Sequence, residues 1–219
     1  MTFPFVHDEF ATIAKVAEGY SLARFGDGEL KICHGSGYAR ESANAQLTAA
    51  LYRTMCKPHE SCIIGLPTYD PAGPKYENWL RHKDRFLRIL PERREWYSAF
   101  VSRPDSAPWI FNRAYGEAVQ ALWKGKRVAV VCEDGNSIHG TVALAAGKVV
   151  HVPCPSHNAF AVLRDLESQV RRIKPDIAIL SAGPTATILA NNLASRGIHA
   201  VDLGSAGGFL RKSLEMPEW

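Results

Sequence analysis

The sequence lacks several features that would place it in a specialised class of proteins. Its 219 residues contain no uninterrupted apolar run of the ~18 residues that a membrane-spanning helix requires. No repeat, low-complexity stretch or Ser/Gly/Pro-rich linker divides the chain, so we expect a single domain over residues 1–219. The first residues have neither the basic start nor the apolar segment of a secretory signal. These absences predict a globular, cytoplasmic protein.

Cysteine and net charge are also low. The five cysteines include no C-x-x-C pair, which predicts reduced thiols rather than disulfides or a cysteine-ligated metal. The formal net charge is +4, from 26 basic and 22 acidic side chains. The densest basic cluster, Arg81–Arg94, is either a solvated helix face or a surface for an anionic partner. The charge therefore permits nucleic acid as a partner but does not argue for it.

Short apolar runs that end abruptly in small or polar residues are the main structural signal. Runs of this length, rich in β-branched residues, are typical of strands buried on both faces of a parallel sheet. The predicted strands are Tyr20–Phe25, Arg127–Cys132, Val149–Val152, Asp176–Leu180 and His199–Leu203. They favour an α/β fold with a Rossmann-like, open, mostly parallel sheet flanked by helices.

Helical patterns lie between these strands. Apolar residues at three- and four-residue spacing predict a helix over Ala159–Ile173 with Asn158 as its N-cap, and Pro184 is a suitable first-turn residue for the next helix. Ala114–Lys124 and Ala43–Met55 are further candidates. We expect residues 67–108 to form a helical insertion over one edge of the sheet.

The first candidate site is the segment Arg24–Glu29, directly after a predicted strand. It carries two carboxylates at alternate positions, Asp27 and Glu29, and glycines such as Gly26 that keep side chains from crowding a ligand. Oxygen ligands in this arrangement suit a hard divalent cation shared with substrate phosphates. Asp-Gly is also a common turn dipeptide, so a simple surface turn is the alternative.

The second candidate is the sequence Gly183-Pro184-Thr185, where a strand gives way to a helix. Free backbone N–H groups and the positive end of the helix can bind an anion there, and Thr185 adds a hydroxyl. The segment is not a Walker loop and has no G-x-G-x-x-G pattern. An ordinary capped helix start is the alternative interpretation.

The third candidate is the loop that begins at Pro153. His157 could act there as a hydrogen-bond donor or base, whereas Asn158 or Ser156 could simply cap the following helix. Because parallel strands end at one edge of the sheet, we expect all three segments to meet there.

Taken together, these motifs resemble the GT-D-type glycosyltransferases. The resemblance rests on Arg24-Phe-Gly-Asp-Gly-Glu29, Pro153 with Asn158-Ala-Phe160, Gly183-Pro-Thr-Ala186 and Asp202-Leu-Gly204, and it covers nearly the whole chain. It implies a Rossmann-like fold, a nucleotide-sugar donor such as a UDP-sugar, and a D-x-E pair that engages Mn²⁺ or Mg²⁺. Asp27 and Glu29 would then be catalytic metal ligands. The implied donor-binding residues are Arg24, Gly26, Arg103, Pro153, Asn158, Gly183, Pro184 and Thr185.

The predicted reaction is metal-dependent transfer of a sugar to an acceptor hydroxyl. If the anomeric carbon is inverted, a side chain must accept the proton of the acceptor, and the candidates are Glu133, Asp134 and His157. The loop Glu133–Gly140 departs from the family pattern, which leaves the donor sugar open. A nucleotide-binding module without transferase activity and a metal-dependent phosphohydrolase are the alternatives. The acceptor, whether a glycan, glycoprotein, lipid-linked sugar or modified nucleic acid, is not determined, nor is homodimer formation.

Overall fold

The computed structural model describes residues 4–42, 44–68, 84, 87–91 and 95–217. Within these residues, seven strands form one sheet in the order β3-β2-β1-β7-β6-β4-β5, and every paired strand runs parallel to its neighbour. The strands are β1 Ser21–Arg24, β2 Cys62–Leu66, β3 Tyr97–Ser98, β4 Arg127–Cys132, β5 Lys148–Pro153, β6 Ile177–Ser181 and β7 Ala200–Asp202.

Burial explains why the central strands β1, β4, β6 and β7 could be predicted, whereas β2 was not predicted although it is equally buried. Every residue of β2 and β7 is buried, as are all but one residue of β4 and β6, whereas edge strand β5 is largely accessible. A strand covered on both faces must be apolar along its whole length, which produces the continuous runs seen in the sequence. The predicted open parallel sheet flanked by helices is confirmed.

Helices follow most strands and cover the two faces of the sheet. In chain order they are α1 Glu9–Ala17, α2 Asp27–Cys33, α3 Ala45–Cys56, α4 Arg113–Ala121, α5 Ser137–Ala143, α6 Leu163–Ile173, α7 Pro184–Ala194 and α8 Gly207–Leu214. Helix α7 begins at Pro184 as predicted, and it is the most deeply buried of them, with nine of its eleven residues inaccessible. It therefore anchors Pro184 and Thr185 in the core, whereas Gly183 before them is exposed.

The start of the helix after β5 differs from the prediction. Ala159–Val162 is a short 3₁₀ helix that leads into α6. Asn158 is left-handed, with φ of 53°, and its side chain does not cap the helix. The reason is that its Oδ1 atom instead accepts a hydrogen bond from the backbone N–H of Ser42 at 2.9 Å.

Much of the expected helical insertion over residues 67–108 lies outside the described residues, and so does most of the basic cluster Arg81–Arg94. The described end of that segment contains strand β3, which pairs with β2, and the start of a 3₁₀ turn at Pro108–Ile110. None of the five cysteines, all of which lie among the described residues, forms a disulfide. In the described parts of the chain, no helix combines the length and hydrophobicity that crossing a membrane requires.

Candidate functional site

A cavity lies at the carboxyl edge of the sheet. Its volume is about 480 Å³, and its walls come from the segments that follow β1, β3, β6 and β7. The direction in which the chain progresses across the sheet reverses between β4, which connects to β5 on one side, and β6, which connects to β7 on the other. Open α/β sheets bind ligands at such a reversal, and the segment after β6 forms one wall of this cavity. Three arginines and three carboxylates line the cavity, namely Arg24, Arg40, Arg103, Asp27, Glu29 and Asp202.

The two carboxylates of the D-x-E motif lie in the first turn of α2 and make different contacts. The Oε2 atom of Glu29 accepts a hydrogen bond from the backbone N–H of Gly26 at 2.8 Å. Asp27 instead forms an ion pair with Lys31 one turn later, with 2.5 Å between Nζ and Oδ2. Residues two apart on a helix do not share a face. The motif is therefore a helix start with two diverging carboxylates, both of which still border the cavity.

Glu29 lies in surroundings that disfavour its negative charge. The pKa of Glu29 is raised to about 7, mainly because the side chain is buried away from water and secondly because of the nearby charge of Asp202. Desolvation also raises the pKa of Asp202, although Arg24 opposes that shift. The base of the cavity thus concentrates carboxylates that bind protons more readily than usual.

Arg24 connects three strand ends beneath the cavity. Its Nη2 atom donates to Oδ1 of Asp202 at 2.9 Å, and its Nη1 atom donates to Oγ of Ser102 at 2.5 Å. Gly204, with φ of 51°, fits here because a Cβ atom would lie 2.6 Å from Nη2 of Arg24. The Nε atom of Arg24 is buried and has no hydrogen-bond partner among the described residues. Arg24 therefore mainly links the chain segments that form the base of the cavity, and little of it projects into the cavity.

Two of these residues, Asp202 and Ser102, were not among the predicted site residues. Asp202 ends strand β7 and so belongs to the edge where ligands bind. It lies within the predicted strand His199–Leu203, and the motif Asp202-Leu-Gly204 that supported the family resemblance was a usable signal. Ser102 follows a strand of only two residues, which left no pattern to read in the sequence.

The cavity contains oxygen donors that suit a hard cation, supplied by Asp27, Glu29 and Asp202. Among the described residues, no three His, Cys, Asp or Glu side chains are grouped so that they could hold a metal ion by themselves. A cation held by these carboxylates would need further ligands, which Mg²⁺ and Mn²⁺ commonly take from substrate phosphates.

The predicted donor-binding residues do not all lie in the cavity. Arg103 and Gly183 line the cavity, where Arg103 is held by Asp105 through Nε and Nη2, both at 2.8 Å. Pro184 lines a narrow adjoining cleft, and Thr185 is fully buried. Pro153 is exposed at the end of edge strand β5. Asn158 is committed to the contacts with residues 40 and 42.

The three candidate bases lie outside the cavity. Glu133 forms an ion pair with Arg40 at 3.2 Å and borders the adjoining cleft. Asp134, with 88% of its side chain exposed, lies 3.8 Å from His151 in a second open cleft. His157 is exposed and pairs with the hydroxyl of Ser156 at 3.0 Å.

Comparisons with known proteins show the family of this chain. The family model described as the glycosyltransferase GT-D fold matches residues 22–207. A protein of Streptococcus gordonii named probable glycosyl transferase Gly is 29% identical over 206 residues, which cover 85% of this chain and 30% of that protein. Glycosyltransferase GlyD of Streptococcus pneumoniae serotype 4 (strain ATCC BAA-334 / TIGR4) is 26% identical over 198 residues, covering 84% of this chain and 24% of that protein. The chain thus spans less than a third of the length of these relatives.

Solved structures show the same fold. A structure described as a domain of unknown function 1792 with a distinct glycosyltransferase fold superposes with a TM-score of 0.82 at 24% identity. The match covers 94% of this chain and 80% of that one. A structure described as a new glycosyltransferase from Streptococcus sanguinis gives a TM-score of 0.81 at 22% identity, covering 94% and 84%. With the family model matching residues 22–207, the chain belongs to the GT-D family of glycosyltransferases.

Proposed function

We propose that this chain transfers a sugar from a nucleotide-sugar, most simply a UDP-sugar, to an acceptor hydroxyl in a cation-dependent reaction. The observation that carries the proposal is the cavity of about 480 Å³, in which arginines and carboxylates meet at the carboxyl edge of a GT-D sheet. A diphosphate needs positive charge around it, and a hard cation needs carboxylate oxygens. Five cysteines that form no disulfide among the described residues favour a reducing, cytoplasmic setting for the reaction.

The arginines account for the stabilisation of the leaving group. As the glycosidic bond breaks, negative charge grows on the diphosphate, and fixed positive groups that face it lower the barrier. Arg40 and Arg103 line the cavity with about half of each side chain exposed, so both can face a ligand. Arg24 contributes from below, since only 12% of its side chain is exposed.

The carboxylates of α2 provide the cation side of the proposal. Asp27 and Glu29 would hold Mn²⁺ or Mg²⁺, which supplies additional charge neutralisation to the diphosphate when bound. Asp27 carries an accessible carboxylate that is now balanced by Lys31, so this ion pair must open for Asp27 to bind a cation. Glu29 must lose its proton to do the same.

Transfer also requires a group that accepts the proton of the attacking hydroxyl. Glu133 is the candidate base nearest to the cavity, because it contacts Arg40 at the boundary between the cavity and the adjoining cleft. Asp134 borders a separate cleft and His157 lies at the exposed surface. An acceptor that enters from the cleft would therefore meet Glu133 first.

Calorimetric titration of UDP, with and without Mn²⁺, tests the proposal directly. We expect cation-dependent binding by the unmodified protein and its loss in the Asp27→Asn, Glu29→Gln double variant. A screen of UDP-sugars against glycan, glycoprotein, lipid-linked and nucleic-acid acceptors then identifies the product. UDP binding without release of UDP from any donor and acceptor pair would indicate a binding module. Phosphate release from simple nucleotides would indicate a hydrolase.

A further inference from the structure

A short turn formed by residues 38–42 separates the cavity from the adjoining cleft. Tyr38 and Glu41 are joined by two backbone hydrogen bonds, of 3.3 and 3.0 Å. Tyr38 lines the cavity, and Arg40 lines both the cavity and the cleft. The ring of Tyr38 packs so closely over Gly28 that a Cβ atom there would lie 3.1 Å from the ring. The 38–42 turn is thus part of the wall that a ligand would touch.

Glu41 anchors this turn to the core. Only 3% of the residue is exposed, and its Oε1 atom accepts hydrogen bonds from Thr185 Oγ1 at 2.8 Å and from the backbone N–H of Phe160 at 3.2 Å. Among the described residues, no arginine or lysine forms an ion pair with it. Burying a carboxylate without a cationic partner is unfavourable, and two hydrogen bonds offset this only in part. Such a residue indicates a requirement for position rather than for stability.

Asn158 braces the turn on both sides of Glu41. Its backbone N–H donates to the carbonyl of Arg40 at 2.8 Å, and its Oδ1 atom accepts from the N–H of Ser42 at 2.9 Å. Asn158 adopts the left-handed conformation, with φ of 53°, in which it makes both contacts. Two residues that the family resemblance placed at the donor, Asn158 and Thr185, therefore hold the 38–42 turn in place.

Of the three arginines that line the cavity, the one in this turn, Arg40, makes the fewest side-chain contacts among the described residues. Arg24 is held by Asp202, Ser102 and the carbonyl of Ala99, and Arg103 is held in bidentate fashion by Asp105. Among contacts between described residues, Arg40 makes a single side-chain contact, with Glu133 at 3.2 Å, and 52% of its side chain is exposed. Most of its N–H donors thus remain available to an anionic ligand.

We propose, building on the proposed function, that Arg40 binds the diphosphate of the nucleotide donor and that Glu41 is its positioning residue. Glu41 acts through the backbone of the turn and does not touch the ligand. Thr185 and Asn158 complete this support, which fixes where the guanidinium enters the cavity.

Calorimetric titration of UDP into the Arg40→Gln variant tests the first part. We expect the affinity to fall about 10-fold to 100-fold, the range for loss of hydrogen bonds to a charged group. Arg171→Gln, on the exposed face of α6, is the matched control and should bind UDP as the unmodified protein does. Equal affinity in Arg40→Gln and the unmodified protein would overturn the role of Arg40 while leaving the proposed function intact. Failure of the unmodified protein to bind UDP would overturn the proposed donor, and the inference with it.

Variants of Glu41 test the second part. Glu41→Gln keeps an oxygen for Thr185 and Phe160 and should retain UDP affinity within about 3-fold, whereas Glu41→Ala should lose about 10-fold. In the Arg40→Gln background, Glu41→Ala should cause no further loss, because its effect passes through Arg40. An additional loss there would show that Glu41 acts on the fold in general. That outcome would overturn its role as a positioning residue.

Discussion

The Nη2 atom of Arg24 lies 2.9 Å from Oδ1 of Asp202, in an ion pair that joins the ends of β1 and β7 beneath the cavity. The exposed fractions of the two side chains are only 12% and 5%. Removing one partner of a buried pair leaves the other charge without compensation, which is strongly destabilising. This pair therefore determines both the stability of the sheet edge and the charge that Glu29 experiences.

Asp202→Asn should lower the free energy of unfolding by about 2 kcal/mol. Asparagine retains an oxygen for the N–H of Gly204 but loses the charge that balances Arg24, so the loss is smaller than the 3–5 kcal/mol of complete removal. Urea denaturation measures the change. Ser195→Ala, at the exposed end of α7, is the control and should alter stability by less than about 0.5 kcal/mol. Unchanged stability in Asp202→Asn would contradict the structural role of the pair.

Glu29→Gln should change how stability depends on pH. The pKa of Glu29 is raised from 4.5 to about 7, so between these values the folded protein retains a proton that the unfolded chain releases. The stability of the unmodified protein therefore falls as pH rises through this window. Glutamine does not titrate and still offers an oxygen to the N–H of Gly26.

The advantage of Glu29→Gln over the unmodified protein should thus grow between pH 5 and pH 8. We expect about 2 kcal/mol, because each pKa unit corresponds to about 1.4 kcal/mol and partial solvent access reduces the full shift. Urea denaturation at both pH values in the presence of EDTA provides the measurement. An advantage independent of pH would show that the proton is not held at Glu29.

Asp27→Asn should lower sugar transfer by about 10²–10³-fold, the scale for loss of one group that stabilises charge in the transition state. Lys31→Met is a second useful variant, because Lys31 donates a hydrogen bond to the Asp27 carboxylate that a cation would need. It should raise the affinity for Mn²⁺ several-fold, as measured by titration of the metal alone. Unchanged turnover in Asp27→Asn would remove the cation role from this residue.

Glu133→Gln should separate two roles of this side chain. Loss of the 3.2 Å ion pair frees the guanidinium of Arg40, so the affinity for UDP should rise about 2-fold to 5-fold, as for a partly exposed pair. If Glu133 also accepts the proton of the acceptor, turnover should fall about 10²–10⁴-fold. Calorimetry and a transfer assay report the two effects independently. A fall in UDP affinity would argue against competition between Glu133 and the ligand for Arg40.

Much of the fold could be read from local sequence. Strands β1 and β4 to β7 and the start of α7 at Pro184 were predicted to within about two residues. Buried parallel strands such as β4 and β6 must be apolar throughout, and proline favours a first helical turn. Strand β3 could not be found in this way. Its two residues form a strand only because β2 lies beside them.

The sequence by itself determined the class of sheet and the edge at which its polar residues gather. Both follow from local properties, namely the apolar runs and the polar residues that come after them. Only the tertiary structure decided which side chains meet. Arg24 and Asp202 are 178 residues apart, and Glu41 and Thr185 are 144 apart. Asp27 and Glu29 are only two residues apart but make separate contacts. They lie in the first turn of α2, directly after its N-cap Gly26, and residues two apart on a helix do not share a face. Contacts between distant segments depend on the order of the strands, which no local pattern in the chain encodes.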